Sequence, residues 1–270
     1  MVCLFHAGRA QVDVAVWLTV EFLDGMMNLL ADLLRGVHSD AQVRSVLVGS
    51  HWVVVCSRFC GMASALHGDH THGTPEVRDA GTLHLKPAAD LLELVHSGSM
   101  LEASLGVATL NALLDVDESR AVELNAADVL VERGKDKKVV LVGHFPFISR
   151  LQAAAGQLWG LEQDPAEGEY PAEAATELIP HADLVAITGT ALINGTLDSL
   201  LRLCQPASTV MVLGPSTPLS TVLFDHGVDI ISGTRVVDEA AVMRTVAQGA
   251  SFRQVEGVRL LTFTRENGGP

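Results

Sequence analysis

The chain is short of the residues that most readily announce a function. Its four cysteines, Cys3, Cys56, Cys60 and Cys204, show no paired C-x-x-C spacing. A disulfide framework and a zinc ribbon are therefore not indicated, and a reducing cytoplasm fits as the location. Basic residues are scarce, 18 Lys and Arg against 32 Asp and Glu, for a net charge of −14. That acidity opposes nucleic-acid backbones and anionic membranes as partners. No uncharged apolar run reaches the ~18–20 residues of a membrane helix. Val14 to Val20 is apolar, but Asp13, Glu21 and Asp24 flank it. No basic segment opens a secretory signal. No G-x-G-x-x-G follows a strand and no G-x-x-x-x-G-K-[ST] occurs, so ordinary dinucleotide binding and P-loop hydrolysis are poor readings.

What is present is enough apolar material for a large core. Hydrophobic residues make up 48% of 270 positions, sufficient for one large domain or two ordinary ones. The first element is a helix from Met26 to Arg35, with Leu29, Leu30, Leu33 and Leu34 on one stripe and Gly36 as its C-cap. One hypothesis is that translation begins at Met26 or Met27, which leaves 1–25 as an extension. Val43 to Cys56 reads as a hairpin split at Gly49-Ser50, and 57–80 reads as a loop rich in Gly, His, Ser and Thr. Helical patterns cover Pro87 to His96 and Met100 to Leu114. The second carries Leu101, Leu105, Ala108 and Ala112 on one face, and Ser99 and Glu102 open it with a capping-box spacing. Strands followed by helices make residues 26–134 a small α+β domain.

Residues 135–270 read differently. Apolar runs at 139–142, 184–188, 209–213 and 228–231 alternate with helical stretches near 148–155, 192–204, 219–226 and 239–248. Such alternation predicts an α/β architecture with a parallel, Rossmann-like sheet. The charged run 134–138 is a solvated connector at the boundary.

Ligands of open α/β sheets bind at the carboxyl edge of the strands. Four segments fall there: Gly143-His144-Phe145-Pro146, Thr188-Gly189-Thr190, Gly214-Pro215-Ser216-Thr217-Pro218, and Gly233-Thr234. Glycine and hydroxyl residues let a ligand meet backbone N–H groups, although βα turns use the same residues merely to turn. His144 stands at the first strand end, where a neutral imidazole can serve as acid/base, metal ligand or ligand anchor. Asn111 lies seven residues from Ser104, on the same side of its helix; if buried it needs hydrogen-bond partners that a ligand can supply. Glu167-Gly168-Glu169-Tyr170-Pro171 holds the one tyrosine of the chain and precedes a helix at 172–179; its acidic pair reads as surface. His67, His70 and His72 form a His-rich tract with metal-ligand chemistry, or else a solvated loop. Cys56 reads as a buried strand residue.

The ordered set Glu102-Ala-Ser-Leu-Gly-Val-Ala-Thr-Leu-Asn111-Ala, Gly-His-Phe-Pro, Glu-Gly-Glu-Tyr-Pro, Gly-Pro-Ser-Thr-Pro-Leu and Phe224-Asp225-His226-Gly227 resembles the two-domain family labelled heavy-metal chelation proteins, long filed as a domain of unknown function. The likeness covers about residues 26–250 and is strongest over 139–238. It implies an N-terminal domain similar to the enolase N-terminal fold, a C-terminal Rossmann-like domain, and a ligand site at their interface. It also implies a role in making or handling a metal-chelating small molecule, flavin- or pterin-related. The positions that match are Glu102, Asn111, Gly143, His144, Pro146, Gly168, Tyr170, Pro171, Gly214, Pro215, Thr217 and Pro218.

The leading expectation is thus a protein that binds or processes a small heterocyclic, metal-linked ligand in an interdomain cleft. His144 and Glu102 are the acid/base pair in that reading. Asn111, Gly143, Pro146, Tyr170, Thr188, Gly214, Ser216 and Thr217 hold the ligand. The cofactor is a divalent metal or the heterocycle itself; the partner is a small molecule, with neither nucleic acid nor membrane, and a homo-oligomer is left open. A second expectation is a non-catalytic metal-binding protein using His67, His70 and His72. A third is a group transferase with a nucleotide-like cofactor, against which the missing glycine fingerprint counts.

Overall fold

A computed structural model describes residues 28–68 and 75–265. Residues 1–25, Met26 and Met27, and His70 and His72 lie outside the described residues. Two sheets organise the chain. The first is antiparallel, in the order β1 (Ser45–Val48), β2 (Trp52–Cys56), β3 (Cys60–Ser64). Its helices are α1 (Leu29–Arg35), α2 (Ala88–Leu92) and α3 (Met100–Leu113). The second sheet is built from β4 (Lys138–Val142), β5 (Gln157–Glu162), β6 (Tyr170–Pro171), β7 (Leu184–Thr188), β8 (Thr209–Leu213), β9 (Ile230–Val236) and β10 (Val258–Thr264). Its order is β10-β9-β8-β7-β4-β5-β6, and every pairing is parallel except β9 with β10. The connecting helices are α4 (Ala126–Arg133), α5 (Ile148–Ala154), α6 (Ala175–Leu178), α7 (Thr190–Ile193), α8 (Leu197–Leu203), α9 (Val222–Asp225) and α10 (Glu239–Ala247). The expected mixed α/β class, a smaller α+β part before a largely parallel sheet, is what the chain adopts. No helix among the described residues is long and apolar enough to cross a membrane.

The unbroken apolar runs explain themselves by two-sided burial. Val139, Val140 and Leu141 of β4 and Leu184 to Ile187 of β7 are fully buried, as expected where helices cover both faces of a parallel sheet. β2 is also buried on both faces, although its sheet is antiparallel. Val53 and Val55 point into the core that contains α3, whereas Val54 and Cys56 pack with Val242 and Val246 of α10. The two parts of the chain therefore share the small sheet as common interior.

Several expectations are corrected. Residues 57–80 are not a loop throughout, because β3 forms within them. Its Cys-Gly-Met-Ala-Ser run has no β-branched residue and carries little strand propensity. It is a strand because small residues let α3 approach: a Cβ on Gly61 would stand 2.2 Å from the Ala108 carbonyl oxygen. α3 is not amphipathic either; it is buried almost all round, Met100 and Asn111 excepted. Gly233-Thr234 does not follow a strand but lies inside β9, which continues because β10 pairs along it, Leu261 opposite Gly233. The helix expected over 192–204 breaks at Gly195, φ +74°, into α7 and α8. Cys56 and Cys60 stand directly opposite in the β2–β3 register and are joined as a disulfide, which their four-residue spacing did not suggest.

The Gly61 contact is against backbone, which cannot swing aside. Gly61→Ala should cost about 1–3 kcal/mol by overpacking, read as a lowered urea midpoint. Gly98→Ala, where an added Cβ meets nothing within 4 Å, should leave the midpoint unchanged.

Candidate functional site

The parallel strands grow outward from β4 in both directions, to β5 and β6 on one side and to β7, β8 and β9 on the other. The carboxyl ends of β4 and β7 thus mark the point where ligands of doubly wound sheets bind. Gly143 turns the chain there at φ +106°, a conformation that disfavours side chains, and its missing Cβ would stand 2.8 Å from the Thr188 side chain. Gly189 meets the next loop in the same way, its Cβ position 2.5 Å from the Thr217 backbone nitrogen. The loops after β4, β7 and β8 consequently nest in one row.

The loop after β8 reaches across to the small sheet. Ser216 Oγ accepts a hydrogen bond from the Ser64 backbone N–H at 2.9 Å. The Asn111 side-chain NH2 donates to the Met62 carbonyl at 3.0 Å and to the Ser216 carbonyl at 3.4 Å. One amide therefore ties α3, β3 and the β8 loop together. Ser104, on the same side of α3, accepts from the Leu66 N–H. The other end of Asn111 is unpaired. Asn111 Oδ1, Thr217 Oγ1 and Thr234 Oγ1 are all buried without a hydrogen-bond partner. All three residues line one crevice with Cys60, Leu219 and Arg235. Its volume is about 10 Å³, room for about one water. Arg235 is held by Glu118 at 3.3 Å and lies 4.1 Å over the Phe59 ring.

Further along the same edge stands a titratable group of three. His144 is exposed, 72% of its side chain accessible, and its Nδ1 lies 3.5 Å from Glu169 Oε1. Glu169 is 13% exposed, and its Oε2 accepts the Ala166 N–H at 2.9 Å. Glu162 ends β5 with Oε1 buried and unpaired. Burial, and next the charge of Glu169, push its carboxyl above the usual range, with His144 pulling the other way. A carboxyl raised in this way, beside a second carboxylate and an imidazole at a strand edge, is what functional sites display.

Glu102 is not the acidic neighbour of His144. Its buried carboxylate accepts from the Arg78 N–H at 2.8 Å, Arg78 Nε at 2.9 Å, Arg78 Nη2 at 2.9 Å and Ser97 Oγ at 2.6 Å. The Ser99 hydroxyl does accept the Glu102 N–H at 3.4 Å, but the carboxylate turns to Arg78 instead of closing the capping box. Burial raises the Glu102 carboxyl, and the Arg78 and Ser97 bonds more than reverse this, holding it at about 2. Thr188 Oγ1 is used locally, 3.0 Å from Thr190 Oγ1. Tyr170 is exposed on the edge strand β6, and Pro146 is exposed beside His144. Gly214 turns its loop at φ +113°. His67 lies 3.2 Å from both carboxylate oxygens of Glu76. Glu162 and the site role of Glu169 escaped sequence reading. The available signal was an apolar strand ending in an acid at the carboxyl edge, the same signal that singles out Gly143-His144.

Two outcomes follow from these charges. Glu102→Gln should lower stability at neutral pH, with the thermal midpoint down by several degrees. The wild-type carboxyl sits below its ordinary 4.5, so its contribution is full above pH 4.5 and fades as pH falls toward 2. Unfolding curves of the two proteins should therefore converge over that window. Glu169→Gln removes the like charge beside Glu162 and should lower the Glu162 pKa, whereas His144→Ala should raise it; carboxyl ¹³C NMR titration reads both.

Two family models match, one over residues 125–265 and one over 30–114, and both are described as "Putative heavy-metal chelation". An uncharacterised protein of Methanocaldococcus jannaschii is 28% identical over 160 residues, 57% of this chain and 62% of that relative; the match spans under two thirds of the relative's length. A crystal structure of a protein of unknown function from Desulfitobacterium hafniense is 28% identical and superposes with a TM-score of 0.76, covering 89% of this chain and 99% of that one. A second, from Pyrococcus horikoshii, is 18% identical with a TM-score of 0.74 over 88% and 100% of the two chains, and shares the fold. With more than half of its length under one of these models, the chain belongs to the heavy-metal chelation family, DUF364, whose two solved members named here are of unknown function.

Proposed function

We propose that this protein binds a small metal-chelating molecule, flavin- or pterin-like in its polar heterocyclic edge, from the crevice between the small and large sheets along the loops after β8, β7 and β4. The observation that carries the reading is the convergence of three buried, unpaired polar atoms, Asn111 Oδ1, Thr217 Oγ1 and Thr234 Oγ1, contributed by both parts of the chain. Leaving such atoms unpaired costs about 1–3 kcal/mol each. A ligand edge that donates to the amide oxygen and accepts from the hydroxyls removes that cost. Heterocycles with an amide-like edge carry both functions in the required pairing.

The crevice as it stands has room for about one water, so only an edge of the ligand enters, or the loops part to admit more. The rest of the ligand lies along the nested loops toward His144. There His144 acts as acid/base or cation ligand, and its acidic partners are Glu169 and Glu162 in place of Glu102. An imidazole and two carboxylates suit the open coordination positions of a divalent cation held by the ligand. The family description agrees with this coarse role.

Untagged protein from its native host tests the reading by denaturing mass spectrometry, absorbance and elemental analysis. A retained heterocycle is expected. Asn111→Ala and Thr217→Val should each weaken its retention about 5–10-fold, the worth of one hydrogen bond. Metal without any organic molecule, or retention indifferent to both substitutions, would remove the proposal.

A further inference from the structure

Among the described residues three metal-ligating side chains converge on the opposite face of β2 from α3. The sulfurs of Cys56 and Cys60 and a carboxylate oxygen of Glu239 all lie within 4.8 Å of one another. The two cysteines are cross-strand partners at the closed end of the β2–β3 hairpin, so their side chains leave the same face of the sheet. That face packs against α10, and Glu239 is the first residue of α10. Two ligands thus come from the small sheet and one from the other part of the chain. Both cysteines are buried, and Glu239 is partly exposed.

The surroundings fit a cation. Arg44 Nη1 donates to Glu239 Oε2 at 2.8 Å and Ser45 Oγ to Oε1 at 3.4 Å, which orients the carboxylate without occupying all its lone pairs. Two thiolates and a carboxylate carry three negative charges, and a divalent cation together with Arg44 brings the group to neutrality. Arg44 and Ser57, next to Cys56, also border an open depression of about 600 Å³. Soft sulfur ligands with one carboxylate select zinc or cadmium over magnesium or calcium. As a structural staple the disulfide has little to do, because it spans three residues whose ends the β2–β3 ladder already holds.

We propose that Cys56 and Cys60, when reduced, form with Glu239 a binding site for one thiophilic divalent cation, zinc or cadmium, and that the disulfide is its closed state. A thiol reductant opens it: two R–SH are oxidised to R–S–S–R, and their two electrons and two protons convert the S–S bond into two thiols. The cation then displaces both thiol protons as two sulfur–metal bonds form. Bound metal joins β2 and β3 to α10, across the joint beside the crevice that Cys60 also lines. The site stands independently of the heterocycle reading, since it uses none of His144, Asn111 or Thr217.

The experiment is a cadmium titration of the full chain carrying Cys3→Ser and Cys204→Ser, so that thiolate can come only from the pair. Protein is reduced with a phosphine, freed of metal and followed by its ultraviolet thiolate-to-cadmium charge-transfer band, with circular dichroism checking that every variant is folded. One equivalent should bind. Cys56→Ser or Cys60→Ser should abolish the band, oxidised protein should show none, and Glu239→Gln should raise Kd about ten-fold or more while leaving the fold untouched. Thr217→Val, in the crevice, should bind cadmium as the parent does. Cadmium binding that survives loss of either cysteine, or is indifferent to Glu239→Gln, would overturn the proposal.

Discussion

β2 presents its two faces to helices from different parts of the chain. Val53 and Val55 meet the core around α3, while Val54 and Cys56 meet α10. Each buried aliphatic side chain contributes about 1.5–3 kcal/mol, so neither helix can leave without exposing a full row. Trp52 Nε1 adds a hydrogen bond to the Ala250 carbonyl at 3.0 Å, and the β8 loop is bound to β3 through Ser216. The small sheet is held from both sides.

Within that frame the chemistry is divided by the faces of one small sheet. On the α3 side and at its rim, oxygen and nitrogen groups gather: Asn111, Thr217 and Thr234 in the crevice, then His144, Glu162 and Glu169 along the strand ends. On the α10 side, sulfur and a single carboxylate meet. The contrast in softness matters, because hard oxygen donors and soft thiolates draw different metals. Cys60 touches both places, lining the crevice while pairing with Cys56. The buried ion pair of Glu102 with Arg78 serves a different purpose. It fastens the start of α3 to residues 78 and 97, where the first helical turn would otherwise offer its N–H groups to a carboxylate.

Much of the large sheet was legible because its central strands are uniformly apolar and end at glycine. β4 and β7 need no partner information to be recognised, since burial on both faces writes itself into Val-Val-Leu-Val and Leu-Val-Ala-Ile. The strands that were not legible depend on neighbours. β3 has small residues chosen for α3, β6 is two residues long, and β10 extends β9 through Gly233-Thr234 by antiparallel pairing. Among the candidate residues, His144 follows β4, Asn111 lies on α3 and Thr217 is in the loop after β8, positions that the local pattern places. Glu162 and Glu169 come together only because β5 and β6 are adjacent at the sheet edge.

The amino-acid sequence by itself determined the α/β class, the strand ends that bear Gly143 and Gly214, and the helix that carries Asn111. These are local consequences of side-chain period and of glycine's access to positive φ. Tertiary structure alone decided which side chain each carboxylate meets: Arg78 took Glu102, leaving Glu169 to His144. It alone decided that Cys56, Cys60 and Glu239 meet. Pairing between groups from 24 to 183 residues apart is set by sheet order and by which face a strand turns inward, and neither is written in any local stretch of chain.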